Sequence, residues 1–290
     1  MISFFKYTNN KEGNIAIGKL PQNMIAILEN INIHIPDKDI TKCTYHNWYD
    51  NMLPNIKKDI ALIKNDPYWN QLNDTALTST QINMDRMDEI YYSNAPSNMN
   101  KINLYGAAGN FSKHRDCILF QFSGVKCYRV LIGLTNGNNN IVTYFNSYNY
   151  GHKINKYDYI AFDFNRTIHQ VIKESSNDTP RLMIKLHFLI YDKSYSKIYI
   201  AYIKKLYIYY EYIFRYINEF GTNPETFCQF FIGLLYQYGM NPYSIHILLF
   251  SCICSIFIKK MFLFLIGSYF INVLLHWSRY KLDKLKCKIL

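Results

Sequence analysis

The chain has no CxxC pair, and its seven cysteines, at 43, 117, 127, 228, 252, 254 and 287, follow no regular spacing. That scatter argues against a disulfide framework and points to a reducing compartment. Acidic residues are scarce, 21 Asp+Glu against 32 Lys+Arg, which leaves a formal net charge of +11. The excess is not evenly spread. Residues 1–195 hold 21 basic and 17 acidic side chains, whereas residues 196–290 hold 11 and 4. It therefore sits in the last third, beside long apolar runs, which favours a membrane surface and gives no expectation of a nucleic-acid partner. No secretory signal is visible at Met1-Ile2-Ser3-Phe4-Phe5-Lys6, which runs straight into polar sequence. The triplet His114-Arg115-Asp116 is not a kinase catalytic loop: Gln121 stands where Asn would hold Mg²⁺, no Gly-rich loop precedes it and no Asp-Phe-Gly follows.

What is present is length enough for one large or two modest domains, and an abundance of Tyr (27) and Phe (19). With frequent Asn, Ile and Lys, this reads as drift toward AT-rich codons and says little about function. Residues 1–95 read as an α+β region that buttresses the rest. Ile25–Ile35 fits a strand pair or a short helix, Asn51–Ile63 a helix ended by Asp66-Pro67, and Gln81–Tyr92 another short element. His34 and His46 read as surface or hydrogen-bonded residues.

From Ile102 the hydrophobic period becomes that of strands, expected near 102–107, 115–122, 126–134, 141–146, 158–164, 167–173 and 181–191. Asn136-Gly137 is a hairpin signal, and Asn149-Tyr150-Gly151-His152 reads as a second turn. Short strands at this spacing without intervening helices favour a closed or two-sheet β architecture. On a strand, residues i and i+2 share a face, so His114 and Asp116 can reach one point. A neighbouring strand can bring His169 to the same point. Two imidazoles and a carboxylate leave three open positions on an octahedral ion, which suits a non-haem Fe(II) oxygenase. Arg181, on the strand after His169, offers a planar fork for the far carboxylate of a dicarboxylic co-substrate, and a rim ion pair is its plain alternative. Lys185 and His187 share the parity of Arg181, and Lys185 is the reserve anchor. Asp158 and Asp163 read as turn or supporting residues, one of which can orient a ligating His. His152 reads as exposed or as lining an entrance.

Over roughly residues 100–192 this pattern resembles the iron(II)/2-oxoglutarate-dependent oxygenases, which are double-stranded β-helix proteins of the jelly-roll type. Within them, Arg129-Val130-Leu131-Ile132-Gly133-Leu134 is similar to the Arg-x-x-x-Gly-Leu strand of the aspartyl/asparaginyl β-hydroxylase group. Asp158–Asp163 is similar to that group's strand before the second histidine. Asp116 departs from much of the group, which lacks a carboxylate ligand, so the metal site resembles the wider superfamily. The resemblance implies Fe(II) on His114, Asp116 and His169, with 2-oxoglutarate as co-substrate and Arg181 as its anchor. It also implies O₂ and a hydroxylation substrate, whether a protein side chain, a lipid or a small molecule. Arg129 either reaches the co-substrate or forms an ordinary ion pair. Both histidines must be neutral to ligate, so iron affinity is expected to fall in acid. Two other readings of the same residues are a non-catalytic jelly-roll scaffold and a cupin-like metalloenzyme that uses no oxo acid.

The expected organisation is thus a mainly β core over 96–195, flanked by α elements and followed by a hydrophobic, basic helical region over 196–290. In that region Ile198–Ile217 reads as a long amphipathic helix. Ile245–Ile258 and Met261–Trp277 are apolar runs, with His246 and His276 at interfacial positions. A spanning helix needs about 20 apolar residues, a length only the second run approaches. Membrane attachment is therefore expected over about 245–277, with the basic tail after Arg279 on the cytosolic side with the β core. The alternative is a helical layer packed on the barrel or on a partner.

Overall fold

The computed structural model describes residues 3–5, 15–35, 44–72, 79–93, 116, 122–136, 141–173, 181–222, 226–229, 274 and 277. The chain divides into two compact units, residues 1–97 with 115–212, and residues 98–114 with 213–290. In the second, Phe227 and Trp277 meet edge to face at 6.2 Å between ring centroids. No helix of the described residues is long and apolar enough to cross a membrane. The run expected to span, 261–277, lies outside the described residues except for Leu274 and Trp277.

The first unit is built on two antiparallel sheets. Its strands are β1 (Ser3–Phe5), β2 (Ile15–Lys19), β3 (Thr44–Trp48), β4 (Ser79–Asn83), β5 (Glu89–Ser93), β6 (Val125–Gly133), β7 (Ile141–Phe145), β8 (Tyr150–Lys153), β9 (Asp158–Asp163), β10 (His169–Lys173) and β11 (Arg181–Asp192). The large sheet runs β1-β2-β9-β6-β11-β5-β3, with β4 also paired to β11, and the small one runs β10-β7-β8. Residues 1–95 thus supply five strands of the large sheet. Gln81–Tyr92, read from sequence as one element, holds parts of β4 and β5 separated by a 3₁₀ turn.

Two expectations about turns are corrected. Asn136-Gly137 does not close a hairpin: β6 pairs with β9 and β11, whereas β7 pairs with β8 and β10, so the connection crosses from one sheet to the other. The dipeptide favours a turn, but burial of the strands on either side decides their partners. Of Asn149–His152 only Asn149 is turn, at φ 47°, and Tyr150–Lys153 is β8. The strands expected at 102–107 and 115–122 lie outside the described residues apart from Asp116 and Phe122.

Alternation along β6 and β11 separates two chemistries. Tyr128, Val130, Ile132, Leu182, Ile184, Leu186, Phe188 and Ile190 belong to one apolar cluster with residues of helices α1 (Gln22–His34) and α2 (Pro54–Lys64). Both helices present apolar residues at i, i+4 and i+7: Met24, Leu28 and Ile31 on the first, Ile56, Ile60 and Ile63 on the second. Residues 25–34 are therefore helical, and Ile35 is the extended residue that ends the helix. Helix α2 starts with Pro54 in its first turn, where the missing N–H costs nothing. Each such aliphatic side chain contributes about 1.5–3 kcal/mol when fully buried. Trp69 fills the space below, and its Nε1 donates to the Ile63 carbonyl at 2.9 Å.

The opposite parity, Arg129 and Leu131 on β6 with Arg181, Met183, Lys185 and His187 on β11, faces the small sheet. A second apolar cluster joins the two: Leu131, Ile160, Phe162 and Met183 from the large sheet with Phe145 of β7. A sheet buried on both faces hides charge only where the charges are paired or hydrogen-bonded. On the large sheet, Arg129, Arg181 and Lys185 all lie on this inner face.

A third helix, α3 (Lys197–Thr222), follows β11. Its buried Ile200, Ile203, Tyr207 and Tyr210 recur at helical spacing. The segment up to Tyr212 belongs to the first unit.

Candidate active site

Asp163, the last residue of β9, builds the turn that carries the chain from the large sheet to the small one. Its carboxylate accepts the backbone N–H of Asn165 at 2.9 Å and an Arg166 Nη1–H at 2.8 Å. Arg166 also donates to the Phe122 carbonyl at 2.9 Å. This turn delivers His169 to the start of β10, on the same face as Phe145 and Tyr150, its partners across β7 and β8. His169 Nδ1 faces the Thr167 carbonyl at 3.5 Å, so Nε2 is the nitrogen turned into the space between the sheets. The Phe162 ring, at 4.8 Å between centroids, walls it off on one side.

Nε2 of His169 looks toward Asp116, whose Oδ2 is 3.7 Å away. Both side chains are buried. Asp116 is held from two directions. Arg129 Nη1 meets the same Oδ2 at 2.9 Å, and the Tyr210 hydroxyl of α3 donates to the Asp116 backbone carbonyl at 3.1 Å. Glu211, one residue on, lies 3.7 Å from Arg129 Nη2. Burial works against the Arg129 charge, but Asp116 and Glu211 more than offset it and raise its pKa. Arg129 thus has two carboxylates beside it.

Imidazole and carboxylate suit a divalent transition ion, and protein donors bind such ions at about 2.0–2.2 Å. Two donor atoms 3.7 Å apart can therefore share one ion. The donor pair fits the expected metal. His114, the other expected ligand, lies outside the described residues, among which no cluster of three potential ligands occurs.

Further along the inner face, Lys185 pairs with Glu89 directly across β5 and stands over the Tyr91 ring at 3.9 Å from its centroid. Burial lowers the Lys185 pKa against the pull of Glu89. For Glu89, burial acts upward, but Lys185 and the His46 Nδ1 at 2.8 Å outweigh it and hold the carboxyl well below its ordinary range. His46 is thus hydrogen-bonded, and it also stacks on Trp48 at 4.7 Å.

Arg181 is different. It is 3 % exposed, its Nε lies 2.9 Å from the Met183 sulfur, and among the described residues no carboxylate comes within ion-pair distance. Burial pushes its pKa down to about 10, with Tyr91 opposing. The three cations expected to compete as anchors are therefore inequivalent: Arg129 and Lys185 have carboxylate partners, and Arg181 has none among the described residues.

The remaining candidates fall into supporting places. Asp158, the first residue of β9, accepts the Asn155 side-chain amide at 2.7 Å, so it and Asp163 support turns from the two ends of that strand. His152 sits in β8 with Nδ1 3.2 Å from the Tyr150 hydroxyl, and burial lowers its pKa. His34 bonds the Asn30 carbonyl on the surface of α1. Three site residues carry no signal in the sequence: Tyr210 and Glu211, hidden in an amphipathic helix, and Asp88, whose carboxylate bonds His187. His187, by contrast, carries a signal in the sequence, since it shares the parity of Arg181 along β11.

No family model matches the chain, and no curated protein does. Among solved structures the chain is similar to the collagen prolyl hydroxylase of Paramecium bursaria Chlorella virus-1 in complex with 2OG. The two are 14% identical with a TM-score of 0.39, over 62% of this chain and 97% of that one. It is also similar to AviO1 from Streptomyces viridochromogenes Tue57 (12% identity, TM-score 0.39, 64% of this chain and 93% of that). A third is SnoN, a non-heme alpha-ketoglutarate-dependent epimerase from nogalamycin biosynthesis (11% identity, TM-score 0.40, 63% and 79%).

Proposed function

We propose that the chain is an Fe(II)/2-oxoglutarate-dependent dioxygenase that hydroxylates an organic substrate, with His114, Asp116 and His169 holding the metal and Arg181 anchoring the co-substrate. The observation that carries this reading is the buried Arg181 guanidinium without a carboxylate partner among the described residues, on the same inner face as the Asp116–Arg129 pair. A buried guanidinium is stabilised by an opposite charge. A dicarboxylate whose far end reaches Arg181 supplies one through two parallel N–H···O bonds. The double negative charge of that co-substrate also balances a divalent ion, so filling the site adds no net charge to a closed space.

When bound, iron with 2-oxoglutarate and O₂ supplies the oxidising chemistry. The chain's own residues position and insulate it. His169 presents Nε2, Arg129 keeps Asp116 in place, and Phe145 and Phe162 keep water from the imidazole. The likeness of residues 129–134 to the β-hydroxylase group adds a relation but no substrate. Attachment to a membrane through about 245–277, with the β core on the cytosolic side, is part of the proposal and rests on the apolar runs and basic tail.

The test is an anaerobic titration of the full-length protein loaded with Fe(II). Adding 2-oxoglutarate is expected to produce the weak visible charge-transfer band of a chelated oxo acid. His169→Ala removes the band, and Arg181→Ala shifts it to much higher co-substrate concentration while iron stays bound. Iron binding with no spectral response to 2-oxoglutarate defeats the reading.

A further inference from the structure

A line of buried polar groups runs behind the Asp116–His169 pair. It begins on helix α2, where Lys64 Nζ meets Asp88 Oδ2 at 2.6 Å with both side chains fully buried. Asp88 Oδ1 accepts the backbone N–H of His187 at 2.8 Å and faces that residue's ring Nδ1 at 3.4 Å. His187 stands directly across from Arg129 in the β11–β6 register, and Arg129 Nε donates to its Nε2 at 2.9 Å. Arg129 Nη1 then meets Asp116 Oδ2 at 2.9 Å.

The order of protons along this line follows from the donor inventory. A guanidinium has no acceptor, so the nitrogen it meets on His187 carries the lone pair. The ring proton is then on Nδ1, facing Asp88. Asp88 thereby fixes both the rotation of the ring and its tautomer. The Phe164 ring completes the mount: it lies 4.5 Å below the Arg129 guanidinium and stands edge-on to His187 at 5.8 Å. Arg129 is one of the side chains with most rotamer freedom to lose. Here its Nε, one face and one Nη are each occupied.

We propose that Asp88 and His187 are positioning residues that set the affinity of the metal site by holding Arg129 against Asp116. The inference rests on the reading of Asp116 and His169 as metal ligands. Partners that orient a ligating group typically change metal affinity by about 10–100-fold when removed. Here the orienting partner, Arg129, is itself oriented by a histidine, and that histidine by a carboxylate from the strand-to-turn junction before β5.

The experiment titrates the metal-free full-length protein with Co(II) alone, following its visible d–d absorption, with Tm measured in parallel. Wild type is expected to bind. His187→Leu, which deletes both ring nitrogens, is expected to weaken Co(II) by about 10–100-fold. His187→Gln keeps an acceptor for Arg129 Nε and an N–H for Asp88, and is expected to recover most of the loss. Leu186→Ala, buried on the opposite face of the same strand, is the control: it lowers Tm and leaves the Co(II) titration unmoved. Where His187→Leu does not fold, Asp88→Ala carries the test, since it deletes the oxygen that faces the ring Nδ1. A His187→Leu or Asp88→Ala protein that titrates like wild type overturns the inference. So does a Leu186→Ala protein that loses Co(II) affinity in step with its Tm. A wild-type protein that binds no Co(II) overturns the metal site itself, and this inference with it.

Discussion

His169 Nε2 lies 3.7 Å from Asp116 Oδ2, and that same oxygen already receives Arg129 Nη1 at 2.9 Å. One carboxylate oxygen thus serves a supporting cation and a candidate ligand together. The pair meets only because the Asp163 turn swings the chain from the large sheet to the small one.

Removal of either side chain is expected to abolish metal binding. His169→Ala and Asp116→Ala should each weaken Co(II) by more than about 100-fold, the upper end of what losing a ligand's hydrogen-bond partner costs. Isothermal titration of the metal-free protein measures it, and a variant that binds with wild-type affinity contradicts the assignment of that residue.

Arg181→Met separates anchoring from folding. Without co-substrate the variant is expected to be as stable as wild type or more so, because it replaces a desolvated cation with an apolar chain of similar volume. With 2-oxoglutarate the order reverses: wild type gains Tm as ligand binding requires, and the variant does not. Truncating one side of a buried charge pair costs about 2–5 kcal/mol, so the co-substrate Kd should rise by roughly 30-fold or more. Thermal melts across a 2-oxoglutarate series decide it.

Asp88 and Glu89 are adjacent, both buried, and titrate in opposite senses. Burial raises Asp88 from 3.8 to about 7 against the pull of Lys64, so the native state holds a proton there that the unfolded chain has released. Stability from this group is complete below about pH 4 and is lost as pH rises through 7. For Glu89, Lys185 and His46 overcome burial and lower the pKa from 4.5, so its contribution is complete above that value and is lost as pH falls. Asp88→Asn should therefore flatten the decline of Tm between about pH 4 and 7, and Glu89→Gln should flatten the acid limb below about 4.5. Identical pH slopes in wild type and both variants would falsify this assignment of protons.

Gly18 tests the packing of the large sheet. It lies opposite Tyr159, and a Cβ built on it comes within 2.7 Å of the Tyr159 hydroxyl and 2.9 Å of its ring. The Tyr159 ring is itself packed edge-on against Trp69 at 5.2 Å. Gly18→Ala is therefore expected to destabilise by about 1–3 kcal/mol, the usual cost of overpacking, read as a lower urea midpoint at unchanged m-value.

The C-terminal expectation is also open to measurement. A chain ending at Thr222 keeps Tyr210 and Glu211, which touch the site, and loses the apolar runs. It should remain in the aqueous phase of a detergent partition, whereas the full-length protein should follow the detergent. A full-length protein that stays in the aqueous phase contradicts membrane attachment.

Much of this was legible in the residues. The strand-like runs Val125–Gly133 and Arg181–Asp192 marked two strands, and along the second the two-residue period put Arg181, Lys185 and His187 on one face; that Arg129 joins them was decided by the β11–β6 register. The Asn51–Ile63 and Ile198–Ile217 periodicities marked helices in the right places. Local signals failed where pairing was at stake. Asn136-Gly137 favours a tight turn whichever sheet receives the next strand, and Gln81–Tyr92 carries no mark of β11 as the partner of both its strands.

The primary structure by itself determined which side chains share a face and which segments are helix or strand, since both follow from backbone geometry and local periodicity. Only the tertiary structure decided the ionic state of the face so defined. Glu89 reaches Lys185 across β5, and Asp116 and Glu211 reach Arg129 from distant segments, leaving Arg181 without a carboxylate among the described residues. The physical reason is that a charge in a low-dielectric interior is governed by whichever opposite charge the fold brings within a few ångströms, and no spacing along the chain encodes that neighbour.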